Sequence, residues 1–123
     1  MIRLLLDEHI SPSVATGLRR LRPSSSACGL VEWEGGGFLG QDDASCLRQA
    51  AIGGWILVTY DRRTIPPLLK TWAEAGQHHG GVIFIDEKTI SPSNIGGQIR
   101  ALAALARETA AWEWTDRVCF LRR

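Results

Sequence analysis

The chain is predicted to be an α/β protein, a three-layer α/β/α sandwich around a mostly parallel, roughly five-stranded sheet. Short apolar runs recur along it: Ile2-Arg3-Leu4-Leu5-Leu6, Trp55-Ile56-Leu57-Val58-Thr59-Tyr60 and Val82-Ile83-Phe84-Ile85. Their continuity is that of strands buried on both faces. Between them lie stretches with apolar residues at helical spacing, bracketed by helix start and stop signals. Strands alternating with helices give a parallel sheet covered on both sides.

The elements follow in order. Residues 2–6 read as the first strand. Ser11-Pro12 supplies an N-cap and a helix-starting proline. Val14, Leu18 and Leu21, at i, i+4 and i+7, give that helix one apolar face. Pro23 and Ser24-Ser25-Ser26 end it. Residues 27–33 read as a second strand, and Glu34-Gly35-Gly36-Gly37-Phe38 as a flexible loop. No Lys-Ser/Thr or helix follows this glycine run at the spacing a phosphate cradle needs, which argues against nucleotide binding there. Asp42 or Asp43 begins the next helix, with Leu47, Ala50 and Ala51 inward, and Gly53-Gly54 stops it. Residues 55–60 form the third strand. Pro66-Pro67 opens a helix running to about Ala75, and Gly76 ends it. Val82 to Ile85 is the fourth strand. Ser91-Pro92 repeats the earlier helix start, and Ile95, Ile99, Leu102 and Ala106 recur at helical spacing. Val118 to Leu121 reads as a last short strand.

A length of 123 residues suits one domain, residues 1–123, and not comfortably two. The balance of 45% hydrophobic and 22% charged residues is that of an ordinary globular protein. No apolar stretch approaches the roughly 20 residues of a membrane span. Asp7-Glu8 interrupts any signal-peptide layout at once. The expectation is a cytoplasmic protein with no membrane partner. Cys28, Cys46 and Cys119 have no zinc-ligand spacing and read as buried small apolar residues. A net charge of +1 decides nothing about nucleic acid. Arg19, Arg20 and Arg22, then Arg62 and Arg63, then Arg122 and Arg123 are local basic groups of the kind that suits phosphate. A solvated surface is the plainer reading of each.

The acids carry more information. In open α/β sheets the ligand crevice lies beyond the carboxyl ends of the strands. Asp7 closes the first apolar run, Asp61 follows the third, and Asp42-Asp43 opens the helix between them. Carboxylates gathered at one place repel, so they hold a cation or a proton. Each also has an ordinary role: Asp7 and Asp61 as turn residues, Asp42 or Asp43 as a helix cap. One of the pair is expected to do only that. Alternation directs Glu8 away from Asp7, and His9 reads as a phosphate contact or an orienting group. Asp86 and Glu87 form a weaker pair after the fourth strand. Magnesium takes a few carboxylates plus waters. Such a site can activate a water and neutralise a phosphodiester's developing charge.

Several stretches together resemble the PIN-like superfamily, in particular a small bacterial branch of unknown function. They are Leu4-Leu5-Leu6-Asp7-Glu8-His9-Ile10-Ser11-Pro12, Gly40-Gln41-Asp42-Asp43 with Leu47 and Ala50, Ile56-Leu57-Val58-Thr59-Tyr60-Asp61-Arg62-Arg63-Thr64-Ile65-Pro66, Gly81-Val82-Ile83-Phe84-Ile85, and the Trp-rich tail. The resemblance covers nearly the whole chain. It implies a sandwich whose acids converge at the carboxyl edge of the sheet. It also implies a Mg2+- or Mn2+-dependent ribonuclease, as in the toxins of toxin–antitoxin pairs. Asp7 matches the first-strand acid, Asp43 (with Asp42 as near alternative) the helix-start acid, and Asp61 the acid after the Thr-containing strand. Asp7, Asp43 and Asp61 are then the catalytic acids, and Asp42 joins them as a metal ligand. His9, Thr59, Arg62 and Arg63 are the substrate contacts. Many PIN-like proteins carry a further acid two residues beyond Asp61, where this chain has Arg63. The partners implied are RNA, an antitoxin protein and a second copy of the chain.

Two other readings stand beside this one. A module with a decayed site would bind RNA or a partner protein without cleaving, and Arg63 favours it. A signalling receiver would use Asp7-Glu8 and Asp61. It requires a lysine after its last strand, where this chain has Arg122-Arg123, and Lys88 follows an earlier strand. Trp112 and Trp114 read as core anchors near the last strand.

Overall fold

In the computed structural model, which describes residues 2–22 and 26–122, ten elements follow one another. They are β1 (Arg3–Leu6), α1 (Pro12–Leu21), β2 (Ser26–Gly29), a 3-10 turn (Trp33–Gly36), α2 (Asp43–Gly53), β3 (Ile56–Thr59), α3 (Ile65–Glu74), β4 (Val82–Phe84), α4 (Ile95–Glu108) and β5 (Val118–Phe120). The five strands form one sheet in the order β2-β1-β3-β4-β5. Every neighbouring pair is parallel. This is the α/β/α sandwich that the sequence predicts.

The alternation of strand side chains builds its two cores. Leu4 and Leu6, Ile56 and Val58, and Ile83 and Ile85 meet Val14, Leu18 and Leu102 of α1 and α4. Leu5, Leu57, Val82 and Phe84 point the other way, onto Leu47 and Ala50 of α2 and Ile65 and Trp72 of α3. The helix ends follow local chemistry. Ser11 caps α1 by accepting the Ser13 N–H at 3.2 Å, and Pro12 fills the first turn. Gly54, at φ +71°, takes the left-handed conformation that ends α2.

Several expectations are corrected. Leu21 closes α1 but is 56% exposed; an apolar stripe buries a residue only where another element lies opposite it. The second strand stops at Gly29 rather than at Trp33. The glycine run is not an open loop. Glu34, Gly35 and Gly36 all take positive φ, a conformation that extended chain cannot continue through. The resulting 3-10 turn folds Trp33 inward, 5.0 Å from the Phe38 ring and 6.4 Å from Trp55. Ser91-Pro92 does not start α4. It forms a turn closed by the Asn94 N–H on the Ser91 carbonyl at 2.9 Å. Asn94 is the cap, accepting the Gly97 N–H at 2.9 Å. Cys46 is buried, but Cys28 and Cys119 are only half-buried. Trp114 is a core anchor; Trp112 is exposed beneath the Arg117 guanidinium, 4.5 Å from its ring. Of the residues expected to end α1, Pro23, Ser24 and Ser25 lie outside the described set. Among the described residues no helix is long and apolar enough to cross a membrane.

Candidate functional site

From β1 the chain moves outward to β2, then returns past β1 to β3. That reversal falls at the carboxyl ends of β1 and β3, the usual ligand position in such sheets. The last rung between these strands is the Asp7 N–H on the Val58 carbonyl, at 3.0 Å. It fixes Asp7 at that edge. Asp7, Thr59 and Asp61 share the side-chain parity of Leu5 and Leu57, so they lean toward the α2–α3 layer. There the N-terminus of α2 delivers Asp43.

A continuous run of hydrogen bonds joins the three acids. The hydroxyl of Thr59, a fully buried residue, donates to Asp7 Oδ2 at 2.6 Å. The same Thr59 oxygen accepts the Asp61 N–H at 2.9 Å. Asp61 Oδ1 accepts the N–H groups of Arg63 and Thr64, each at 2.9 Å. This is the turn chemistry expected of an aspartate after a strand. Its other oxygen, Oδ2, meets the Thr64 hydroxyl. That hydroxyl also lies 3.0 Å from Asp43 Oδ2. Thr64 occupies the N-cap position of α3 yet makes no capping bond with its side chain. Its hydroxyl is committed to the two carboxylates instead. A hydroxyl has one proton to donate, and here two carboxyl oxygens compete for it. One of the two is left to find another donor.

Asp42 and Asp43 divide their roles. Asp42 caps α2, its Oδ1 accepting the Ser45 N–H at 2.7 Å. Hydrogen bonds from Ser45 hold the Asp42 carboxyl below the usual range. Asp43 is left to face Thr64. Burial pushes the Asp61 carboxyl up, but the hydrogen bonds from Thr64 and Arg63 and the Arg63 charge outweigh it, so the net shift is downward. A carboxyl depressed in the folded state stabilises the fold fully above its unfolded pKa and loses that contribution as pH falls through the folded value. Asp61→Asn is therefore expected to unfold at lower urea than wild type at neutral pH, with the gap closing on acidification. Urea midpoints across an acid series check this; a gap that persists in acid contradicts it.

The remaining predicted residues are dispersed around this cluster. His9 and Glu8 are exposed on the β1–α1 turn. Asp86 does not join the acids. Its Oδ2 takes Arg62 at 3.1 Å and its Oδ1 the Lys88 N–H at 2.9 Å. Arg62 and Arg63 are exposed, and with Tyr60, Asp61, Asp86, Glu87 and Lys88 they line an open cleft of about 470 Å3. Tyr60 donates its hydroxyl to the Ile90 carbonyl at 2.9 Å. Burial, with Glu87 nearby, pushes its pKa up to about 12, so it keeps its proton at neutral pH. Thr64 is the residue that sequence reading missed. The only local signal was its place three residues after Asp61, where an aspartate turn receives an N–H.

Among the described residues no group of three His, Cys, Asp or Glu side chains stands ready to enclose a metal ion. The donor set still fits magnesium, which keeps several waters and needs only one or two carboxylates. Asp43 and Asp61, whose carboxyls meet at the Thr64 hydroxyl, supply two. Comparison with protein-family models, curated proteins and solved structures found no match.

Proposed function

We propose that the chain is a Mg2+- or Mn2+-dependent ribonuclease of the PIN-like type. The observation that carries this reading is the hydrogen-bonded run Asp7–Thr59–Asp61–Thr64–Asp43 at the carboxyl ends of β1 and β3. When bound, the divalent ion supplies water activation and neutralises charge developing on the phosphodiester. Asp43 and Asp61 are the residues that would hold it, with Asp7 linked to Asp61 through Thr59. Thr59 orients Asp7 and pins the Asp61 backbone, so the first and third strands present their acids in fixed relation. Thr64 ties α3 to α2 and sets the spacing of Asp61 and Asp43. Arg63, exposed beside Asp61, neutralises a phosphate of the RNA backbone. Arg62, held by Asp86, offers the donors that pairing leaves free. The resemblance to PIN-like toxins adds an antitoxin and a second copy of the chain as partners.

Incubation of a labelled RNA with the protein and Mn2+, against a chelator control, tests the reading. Cleavage that needs the metal and is lost in Asp7→Asn supports it. Undiminished cleavage by Asp7→Asn sinks the assignment.

Arg63 favours a second reading, a module that binds RNA or a partner protein without cleaving. Its charge lies beside Asp61 and favours that carboxylate, at a position where a further acid is common in the PIN-like pattern. RNA binding that persists in chelator and yields no product would support this. The receiver reading gains from the strand order, which signalling receivers share. It loses more after β5, where Arg122-Arg123 stands in place of the lysine a receiver needs. Failure to take a phosphoryl group from acetyl phosphate would count further against it.

A further inference from the structure

The sheet ends in two edge strands, β2 and β5. An edge strand turns the N–H and C=O of alternate residues away from the sheet. On β2 these residues are Ala27 and Gly29, because the Ser26 and Leu30 N–H groups point inward, to the Ile2 and Leu6 carbonyls. Each of the two has a side chain on it. Arg19 donates to the Ala27 carbonyl at 2.8 Å, and Glu32 Oε1 accepts the Gly29 N–H at 3.4 Å. Arg19 and Glu32 also pair with each other at 3.0 Å. Together they block this edge to another strand.

The β5 edge is bare. The Val82 N–H bonds to the Arg117 carbonyl and the Leu121 N–H to the Phe84 carbonyl. Arg117, Cys119 and Leu121 therefore turn inward, and Val118 and Phe120 outward. Among the described residues no side chain bonds to the backbone of Val118 or Phe120. Their side chains are 44% and 54% exposed. Phe84, 5.5 Å from the Phe120 ring, and Arg62, 5.4 Å from it, hold that ring in place. The backbone beside it stays open. Sheets blunt such an edge with charge, proline or a covering element; here two apolar residues line it.

The bare edge complements itself. Val118 and Phe120 sit symmetrically about Cys119. An antiparallel strand centred on Cys119 sets Val118 opposite Phe120 of a second copy, and Phe120 opposite Val118 of that copy. Outward-facing residues placed opposite each other exchange both backbone bonds, and an aromatic beside a β-branched residue is a favourable cross-strand pair. The same register brings Asp116, at the entry of one strand, toward Arg122, at the exit of the other. Both are exposed and opposite in charge. Asp116 is already fixed by His78 and the His79 N–H. Because β2 is blocked, β5 cannot add head-to-tail onto β2, and the association closes at two copies.

We infer that β5 pairs antiparallel with β5 of a second copy, joining two sheets across a two-fold axis at Cys119. This goes beyond the second copy that the resemblance names. It assigns the face and the register, and it stands on the strand edge rather than on the acids.

Sedimentation equilibrium under reductant compares wild type with Val118→Pro. The Val118 N–H makes no bond inside its own sheet, so proline at this first residue of an edge strand keeps the fold and removes half of the pairing bonds. The expected result is a concentration-dependent dimer for wild type, and association weakened at least about tenfold in Val118→Pro at an unchanged urea midpoint. A second readout uses the thiols. In the paired strands the two Cys119 residues meet at a non-hydrogen-bonded position, with Cα atoms about 4.5 Å apart, a separation that a disulfide spans. Diamide, which takes up the two thiol hydrogens, is expected to link wild type into a covalent dimer and to leave Cys119→Ser unlinked. That readout alters no backbone bond and decides alone if proline unfolds the chain. Wild type that stays monomeric at every concentration, equal association by folded Val118→Pro, or equal linking in Cys119→Ser would each overturn the inference. Neither readout needs RNA or metal. A dimer of this kind that cleaves no RNA with Mn2+ would keep the pairing and discard the nuclease reading; a monomeric nuclease would do the reverse.

Discussion

On the nuclease reading proposed above, Asp61→Asn is expected to lower Mn2+-dependent RNA cleavage by more than the roughly 10–100-fold that loss of a supporting group costs. Asparagine keeps an oxygen for the Arg63 and Thr64 N–H groups, so the turn after β3 survives. What is lost is the negative charge on the oxygen that meets Thr64, and with it half of the Asp43–Asp61 pair. Thr59→Val isolates the supporting role. Valine fills the same buried volume but can neither donate to Asp7 nor accept from the Asp61 N–H. Loss of a group that orients a metal-binding residue costs about 10–100-fold, so Thr59→Val is placed between wild type and Asp61→Asn. Both follow from kcat/KM on one labelled RNA at a single Mn2+ concentration that saturates wild type. Near-wild-type turnover by Asp61→Asn would remove Asp61 from the reaction.

The largest effect on stability is expected from Leu5→Ala, about 2–5 kcal/mol. β1 is paired on both sides, to β2 and to β3. Leu5 is fully buried in the core shared with α2 and α3. Truncation leaves a cavity that strands hydrogen-bonded on both flanks cannot collapse to fill. For a domain stable by about 5–15 kcal/mol the loss is a large share. Urea unfolding should show a lower midpoint at unchanged slope. Leu21→Ala is the control: that side chain is mostly in water already, and its truncation should cost less than about 0.5 kcal/mol. Equal costs at the two positions would contradict the burial pattern described above.

These two leucines also show what the sequence could and could not convey. Leu5 belongs to an apolar run too short and too continuous to be anything but a strand buried on both faces. Leu21 satisfied helical periodicity just as well, yet periodicity reports a face and not whether anything covers it. The acids at strand ends were legible for a local reason, an apolar run followed at once by Asp7 or Asp61. Their convergence needed only the general rule for parallel sheets. The choice between Asp42 and Asp43 was not legible, because either can cap a helix and the outcome depends on which carboxylate reaches the Ser45 N–H. Thr64 was hidden for another reason. Its hydroxyl meets Asp43 from 21 residues away, through the approach of α3 to α2, which no local pattern encodes. Ser91-Pro92 misled because the same dipeptide serves a helix start at Ser11 and a simple turn here, with Asn94 a few residues later providing the effective cap.

Asp43 and Asp61 are proposed to hold one cation, with Asp7 fixed beside them through Thr59, and calorimetric titration of Mn2+ measures this without a guess about substrate. Wild type is compared with Asp7→Asn, Asp61→Asn and Asp42→Ala. Binding is expected of wild type and of Asp42→Ala, whose lost side chain only caps α2, and loss of binding in both asparagine variants. Binding that survives in both Asp7→Asn and Asp61→Asn, or no binding by wild type, would contradict it.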